Sequence, residues 1–236
     1  TLRHTLFPYT TLFRSLLDSL KQQDFTGFTV TACVNQPDHW WDENDKRHIC
    51  EDNARTIQIL KEVNDFEIVL IDRSTKGRGW DRKNFGVGWA RKVAMDEIAA
   101  RAGKNDIILC LDGDTVFKSN YLSTVNGSFE NHDELAALAI PYYHNLINKI
   151  EEDRSILRYE IYMRHYLLNL FRIKSPYSFT AIGSAMAATV WAYNKVGGLT
   201  PFKSGEDFYF MQKMAKNGPV GTWNEEPVFP AARFSN

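Results

Sequence analysis

One stretch constrains the fold of this chain more than any other. Residues 106–115 read Asp-Ile-Ile-Leu-Cys-Leu-Asp-Gly-Asp-Thr, a short apolar run that ends in two carboxylates one residue apart. The run has the length of a buried strand. Because burying an unpaired carboxylate is very costly, we expect Asp112 and Asp114 at the carboxyl end of that strand and not in its interior. Open α/β sheets bind their ligands at this edge.

Two carboxylates at this spacing have two interpretations. Hard oxygen ligands suit a divalent cation, and a metal held by one or two carboxylates usually bridges phosphate groups. Alternatively, Asp112, Gly113 and Asp114 form a plain turn, because glycine permits a tight turn and Asp-Gly commonly makes one. The spacing alone leaves both interpretations open.

Strand and helix patterns alternate up to this stretch and change after it. Alternation of this kind favours an α/β fold, a parallel sheet covered by helices. No internal repeat or low-complexity linker divides the chain, which favours one domain. The predicted strands are 28–34, 66–71, 106–111 and 135–142, and the predicted helices are 15–23, 50–63, 86–101, 119–130, 151–171, 189–196 and 208–217.

Composition excludes some classes of partner. The net charge of −1 gives no reason to expect nucleic acid or an anionic membrane as a partner. No run approaches the roughly 20 apolar residues of a membrane span. The three cysteines, Cys33, Cys50 and Cys110, show no paired metal spacing and are expected to be reduced. We therefore expect a cytoplasmic location, with at most a peripheral association with membranes.

Four further features could belong to a site, and each has a plain structural alternative. The glycines at 86 and 88, followed by Arg91, could bind an anion at a helix start, or simply begin that helix. Glu206 and Asp207 follow Gly205, where one carboxylate could act as a general base or complement the helix dipole. Small residues at 181–187 permit close approach of a ligand, or tight packing. The aromatic residues between 159 and 171 either pack or shape a cleft.

In this order, these segments resemble the family 2 glycosyltransferases, the inverting enzymes with the GT-A fold. The resemblance covers residues 16–230 and rests on a helix that begins G-x-G-x-x-R, a strand that ends Asp-x-Asp, small residues before Val196-Gly197-Gly198, and Glu-Asp ahead of a helix. It implies a Rossmann-like α/β/α sandwich around a mixed, mainly parallel central sheet.

The resemblance implies roles for the donor side of the site. Asp112 would face the ribose or its water shell, and Asp114 would bind Mn²⁺ or Mg²⁺ on the donor diphosphate, so that the two form the metal site. Arg91 would lie near the donor nucleotide. Asn35 stands where the family often has an aspartate that contacts the nucleobase, so the choice of base stays open.

The resemblance also implies a reaction and an acceptor side. Asp207 would be the catalytic base, with Glu206 as the fallback, and Gly183 and Ser184 would line the acceptor side. The donor would be a nucleoside-diphosphate sugar, and the acceptor a glycan, a lipid-linked or another hydroxyl. The sugar's configuration would invert. The alternatives are a nucleotidyltransferase and a non-catalytic carbohydrate-binding domain of the same fold.

The first residues have a separate interpretation. Residues 5–15 read Thr-Leu-Phe-Pro-Tyr-Thr-Thr-Leu-Phe-Arg-Ser, which resembles the in-frame translation of a common sequencing adapter. Residues 1–15 are therefore expected to be an artefact, and residues 16–236 a GT-A domain from environmental DNA, truncated at both ends. The family's first strand would precede Leu16. We expect the chain as written to be inactive or poorly folded.

Overall fold

The structure is a computed structural model that describes residues 9–146 and 150–232. The strands are β1 (Thr29–Asn35), β2 (Glu67–Arg73), β3 (Ile107–Cys110), β4 (Thr115–Val116), β5 (Ala137–Ala139), β6 (Met186–Thr189), β7 (Val220–Gly221) and β8 (Phe229–Pro230). The helices are α1 (Tyr9–Lys21), α2 (Arg47–Glu62), α3 (Val87–Arg101), α4 (Tyr121–Glu130), α5 (Ile150–Arg172), α6 (Val190–Lys195) and α7 (Glu206–Ala215). A short 3-10 helix, Asp38–Asp42, follows β1.

The predicted helices are all present; strands β1 and β2 are at least as long as predicted, whereas β3 and β5 are shorter. The predicted strand at 135–142 narrows to the three residues of β5. The first predicted helix begins earlier, at Tyr9, and keeps Leu16, Leu17 and Leu20 on its buried side. Strand β6, in the stretch described only by its small residues, and strands β4, β7 and β8, of two residues each, were not predicted. Such strands are too short to show an alternating pattern.

A four-stranded sheet in the order β3-β6-β5-β7 forms the centre of the fold. Strand β6 is buried along its whole length. Its alternate residues face opposite sides: Met186 and Ala188 pack with side chains of α3, α6 and α7, while Ala187 packs with side chains of α1 and α4. The arrangement is an α/β/α sandwich, which confirms the predicted fold class.

The sheet is mixed, as expected, but its parallel share is smaller than the resemblance implied. Among the ladders of the described strands, β1–β2 and β5–β7 are the parallel pairs. Strand β6 runs antiparallel to both β3 and β5, and β4 pairs antiparallel with β8. After β5 the chain forms the long helix α5 and then returns to the centre of the sheet as β6. Strand β6 therefore runs in the opposite direction to β5.

Strands β1 and β2 form a sheet of their own beside the central one. In the described residues no ladder joins β1 to β3, although helix α3 packs against both strands. Phe13 of α1 contacts the hydrophobic clusters of both regions. Residues 9–15, which belong to the segment expected to be an artefact, form part of helix α1, and residues 1–8 lie outside the described residues.

The fold brings several element ends to one edge. Strand β3 ends just before Asp112, and helices α3 and α7 begin after Gly86 and Gly205. Both glycines have positive φ, 104° and 75°, a conformation that other residues rarely adopt. Of the helices in residues 9–146 and 150–232, none has the length and apolar character needed to cross a bilayer.

Candidate active site

One arginine joins the acid after β3 to the acid at the start of α7. Arg91 Nη2 donates to Asp112 Oδ1 at 2.7 Å, and Arg91 Nη1 donates to Glu206 Oε1. The side chains of Arg91 and Glu206 are 8% and 5% exposed. Burial alone would lower the pKa of Arg91, but the charges of Asp112 and Glu206 help to raise it above its ordinary value. The guanidinium therefore remains charged and fixes both carboxylates.

The Asp-Gly-Asp segment forms a turn that also presents a carboxylate to the site. The backbone N–H of Thr115 donates to the carbonyl of Asp112 at 3.1 Å, which closes the turn. The carboxylate of Asp112 leaves the turn toward Arg91 and is one third exposed. Asp114 is buried, with 8% of its surface exposed. The turn interpretation is thus confirmed, and it is compatible with a role for the acids.

Asp207 has a different environment from Glu206, its neighbour in the first turn of α7. Burial raises the pKa of Asp207, and the charges of Glu206 and Asp112 raise it further. The N–H of Phe208 and the charge of Arg91 oppose this rise. Asp207 is therefore a partly desolvated carboxylate with an elevated proton affinity, a state that suits a general base.

Gly183 lies directly against the guanidinium of Arg91. A Cβ added at Gly183 would lie 1.9 Å from Arg91 Nη2, so only glycine leaves room for the guanidinium. Gly183 and Ser184 are both buried. That Gly183 and Ser184 line the acceptor side stays a prediction.

The structure brings some of the predicted residues together and leaves others apart. Arg91 links Asp112 and Glu206 directly, and Asp207 lies within electrostatic reach of all three. In the described part of the chain, no hydrogen bond or ion pair joins Asn35 or Ser184 to Arg91. Asn35 ends β1, and its carbonyl accepts a bond from Asn53 Nδ2 at 3.4 Å.

Helix α5 adds Tyr159, whose stretch the sequence left between packing and shaping a cleft, and Glu160, which the sequence did not single out. Tyr159 is close enough to Asp207 for that carboxylate's charge to raise its pKa, although burial is the larger cause. The next residue is Glu160. Its Oε1 accepts a hydrogen bond from the backbone N–H of His144 and lies 2.8 Å from the ring Nδ1 of the same histidine. No sequence signal could have placed these residues, because the aromatic spacing of α5 is equally typical of a packed helix.

The carboxylates of the candidate site could hold a metal ion only together with a bound ligand. Among residues 9–146 and 150–232, no group of three or more His, Cys, Asp or Glu side chains could enclose a metal ion. Asp112 and Asp114 supply two acids on one turn. Mg²⁺ is commonly held in this way, by one or two carboxylates together with substrate phosphates and water. A metal site at these residues stays a prediction.

Comparison with protein families gives one match. The model of the family described as Glycosyl transferase family group 2 matches residues 107–234, which is more than half of the chain. The match begins at β3 and includes Asp112, Asp114, Gly183 and both acids of α7. No protein of curated function matches the chain in sequence.

Comparison with solved structures finds S. aureus TarS. The crystal structure of TarS 1–349 has a TM-score of 0.59 and 14% identity over 96% of this chain and 58% of that chain. The same fragment in complex with UDP gives 0.59 and 14%, over 95% and 58%. The longer TarS structure gives 0.58 and 15%, over 97% and 35%. The chain thus spans just over half of the shorter TarS chain, and the likeness shows the shared fold.

Proposed function

Because the chain belongs to glycosyl transferase family group 2, and is thus a glycosyltransferase, we propose that it moves a sugar from a nucleoside-diphosphate sugar to an acceptor hydroxyl with inversion. The observation that carries this proposal is the bridge from the partly exposed Asp112 through the buried Arg91 to the buried Glu206. It places the acid turn after β3 beside Asp207. A donor held at the turn would therefore face a base across a short distance.

Asp207 is the better candidate for the base. Glu206 is buried and engaged by the guanidinium of Arg91, so its carboxylate is already occupied by a cation. Asp207 has no such direct ion pair among its described contacts, and burial raises its pKa. A carboxylate of raised proton affinity accepts a proton from an attacking hydroxyl more readily. In this scheme, Glu206 positions Arg91 and Asp207 takes the proton.

The donor would lie over the acid turn. The S. aureus TarS fragment, which shares the fold, has been crystallised in complex with UDP. A nucleoside diphosphate is accordingly the donor class we propose here, with Asn35 toward the base, Asp112 toward the ribose and Asp114 toward the diphosphate. Arg91 would hold Asp112 in place. The acceptor would approach over Asp207 and Tyr159.

A divalent cation would be held by Asp114 and Asp112 together with the diphosphate. Mn²⁺ or Mg²⁺ would neutralise charge on the departing nucleoside diphosphate. The remaining work belongs to the chain's own residues: Asp207 accepts the proton of the acceptor hydroxyl, and the hydroxyl oxygen attacks the anomeric carbon from the face opposite the leaving group.

The decisive experiment measures donor binding and turnover with a panel of nucleotide sugars, in a chain whose residues 1–15 are replaced by a strand-forming segment, because the chain as written is expected to be inactive or poorly folded. We expect calorimetry to detect a nucleoside diphosphate in the presence of Mn²⁺ or Mg²⁺, and EDTA or Asp114→Ala to remove the binding. Nuclear magnetic resonance of the first product would give its anomeric configuration. Absence of binding to every nucleoside diphosphate, with metal and without it, would overturn the proposal, and a retained configuration would overturn the single displacement.

The same assay separates the alternatives. A nucleotidyltransferase would release pyrophosphate from a nucleoside triphosphate, and a non-catalytic carbohydrate-binding domain would bind glycans without hydrolysing any nucleotide sugar. No feature of the described structure favours either of them.

A further inference from the structure

A groove lies between helix α4 and the segment that follows β7, on the face of the central sheet opposite α7. Its volume of about 640 Å³ is within the range of roughly 300–1,000 Å³ found for ligand sites. Thr124 and Ser128 of α4, Leu138 of β5 and Trp223 line it. Leu138 packs with side chains of α1 and α4, whereas the buried side chains of α7 pack on the other face of the sheet. The groove is therefore separate from the candidate active site.

Trp223 presents its indole to solvent beside this groove. It is 75% exposed, more than any other large hydrophobic residue in the described chain. The next residue, Asn224, is 1% exposed. Asn224 Nδ2 donates to Thr124 Oγ1 at 3.1 Å, and Asn224 Oδ1 accepts from Ser128 Oγ at 3.0 Å. The backbone next to Trp223 is thus fixed to α4, so a ligand that covers the indole would lose little free energy to the ordering of this segment.

The polar groups of the groove include few charges. No lysine or arginine is among its described lining residues, and Glu225 is the one carboxylate. In residues 9–146 and 150–232, the side chains of Asn131, Thr222 and Glu225 make no hydrogen bond to another residue, so they are available to a ligand. A phosphate-bearing ligand would meet no cation in this lining except His132, when that ring is protonated. The lining fits an uncharged ligand that is rich in hydroxyls.

We propose that this groove binds a neutral carbohydrate, at a second site that does not depend on the proposed transfer reaction. One face of a sugar ring carries C–H groups, and its edge carries hydroxyls. The C–H face would stack on the electron-rich face of the Trp223 indole. The hydroxyls would donate to the carboxylate of Glu225 and exchange hydrogen bonds with the amide of Asn131 and the hydroxyl of Thr222.

The charge of the groove gives the site a direction of specificity. The carboxylate of Glu225 accepts hydrogen bonds from neighbouring hydroxyls of a sugar, but it repels a carboxylate or a sulfate. Because the described lining holds no arginine or lysine, no fixed cation offsets this repulsion. Neutral glycans should therefore bind more tightly than acidic glycans of the same length, and the difference should become smaller as salt rises.

The test measures the binding of hexasaccharides to the same chain as the donor assay, with a strand-forming segment in place of residues 1–15. The neutral probes are maltohexaose, cellohexaose and chitohexaose, and a hyaluronan hexasaccharide is the acidic probe. We expect calorimetry to detect at least one neutral probe. Trp223→Ala should weaken its binding by about tenfold, the loss expected for one aromatic contact. Glu225→Gln should bring the affinity for the acidic probe closer to the affinity for the neutral probe.

Two controls separate the groove from the rest of the surface. Phe171→Ala removes an aromatic side chain that is 56% exposed in α5, a helix that does not line the groove, and should bind the hexasaccharide like the parent chain. EDTA or a saturating nucleoside diphosphate should not change the affinity, because the groove uses neither metal nor nucleotide. Circular dichroism should show the same helix content in all variants, because every substituted side chain is exposed.

Three results would overturn the proposal. The first is the absence of binding to all three neutral hexasaccharides, and the second is equal affinity of the parent chain and Trp223→Ala. The third is displacement of the hexasaccharide by a nucleoside diphosphate, which would assign the binding to the candidate active site. If the first result comes with a dimer that Trp223→Ala dissociates in light scattering, the groove is an interface between two copies of the chain.

Discussion

Arg91 is the residue on which the candidate site depends most. Its guanidinium contacts a carboxylate 21 positions away and another 115 positions away. The sequence identified Arg91, Asp112, Glu206 and Asp207 as separate candidates. It could not show that one guanidinium joins two of them, because an ion pair between residues so distant in the chain leaves no local pattern.

Removal of this cation should be costly. In Arg91→Met, the carboxylate of Glu206 would remain buried without its partner, and we expect a loss of about 3–5 kcal/mol in the free energy of unfolding. Urea denaturation measures this loss. The double variant Arg91→Met, Glu206→Gln should recover much of the stability, since it also removes the buried charge. A cost below about 1 kcal/mol for the single variant would mean that the bridge contributes little.

Asp207→Asn tests the base. The amide cannot accept the proton, so kcat should fall by about 10²- to 10⁴-fold while the affinity for the nucleoside diphosphate stays unchanged. Asp133→Asn, a change at an exposed loop residue, is the control and should leave kcat unchanged. A kcat for Asp207→Asn within a factor of a few of the parent value would assign the base elsewhere.

The raised pKa of Asp207 also sets the sign of two pH effects. The acid limb of the kcat/KM profile should lie above the ordinary aspartate value of 3.8, because the base works only when ionised. Between 3.8 and the raised pKa, the folded chain holds a proton that the unfolded chain releases, so stability falls as pH rises through this window. Asp207→Asn should therefore melt at a higher temperature than the parent chain at pH 7, with a gain that disappears near pH 4.

Gly183→Ala tests the space behind Arg91. The new methyl group would occupy the position of the guanidinium, which is held by two carboxylates and cannot move without breaking an ion pair. We expect nucleotide affinity to fall by about tenfold or more, the equivalent of 1.4 kcal/mol. Gly127→Ala is the matched control: it lies in α4 with nothing within 4 Å of the added carbon. The control should be neutral or slightly stabilising. Equal effects of Gly183→Ala and Gly127→Ala on nucleotide affinity would contradict the close packing of Gly183 against Arg91.

At the level of elements, prediction from sequence succeeded where a pattern was long. The helices have enough turns for their apolar spacing to be visible, and β1, β2 and β3 have compositions typical of strands. The short pairings of β4 with β8 and of β5 with β7 depend on distant partners, and no local signal indicates them. The antiparallel direction of β6 likewise depends on the path of the chain after α5.

The strands should differ in their protection from hydrogen exchange. Strand β6 is paired on both sides and fully buried, so its amides should exchange most slowly. Strand β1 pairs only with β2 among the described residues and is mostly half-buried, so its amides should exchange faster. Hydrogen exchange followed by mass spectrometry of peptides from residues 29–35 and 186–189 measures this difference. Equal protection would show that β1 is covered on its second edge.

For the whole molecule, the feature that matters most is the position between β1 and β3. The two strands lie under one helix, α3, yet no ladder connects them in the described chain. The resemblance to family 2 glycosyltransferases predicts a strand ahead of Leu16 that the family uses at this place. The overall α/β/α fold was predictable because it follows from the order of elements, whereas the separation into two sheets was visible only in the structure.

Replacement of residues 1–15 tests this interpretation. A segment with an alternating β-branched strand and a turn should insert between β1 and β3, bury their half-exposed edges and raise Tm by about 5 °C or more. A Gly/Ser segment of the same length is the control and should not raise Tm. If both replacements melt at the same temperature as the parent chain, the position does not accept a strand.

The ion pairs of Arg91 also restrict the motions that could open the candidate site. Moving α7 away from β3 would break the ion pairs of Arg91 and leave buried charges without partners. We therefore expect this opening motion to be slow. We also expect α7 and the turn after β3 to move as one body, so that Asp112, Glu206 and Asp207 keep their relative positions while substrates enter and leave.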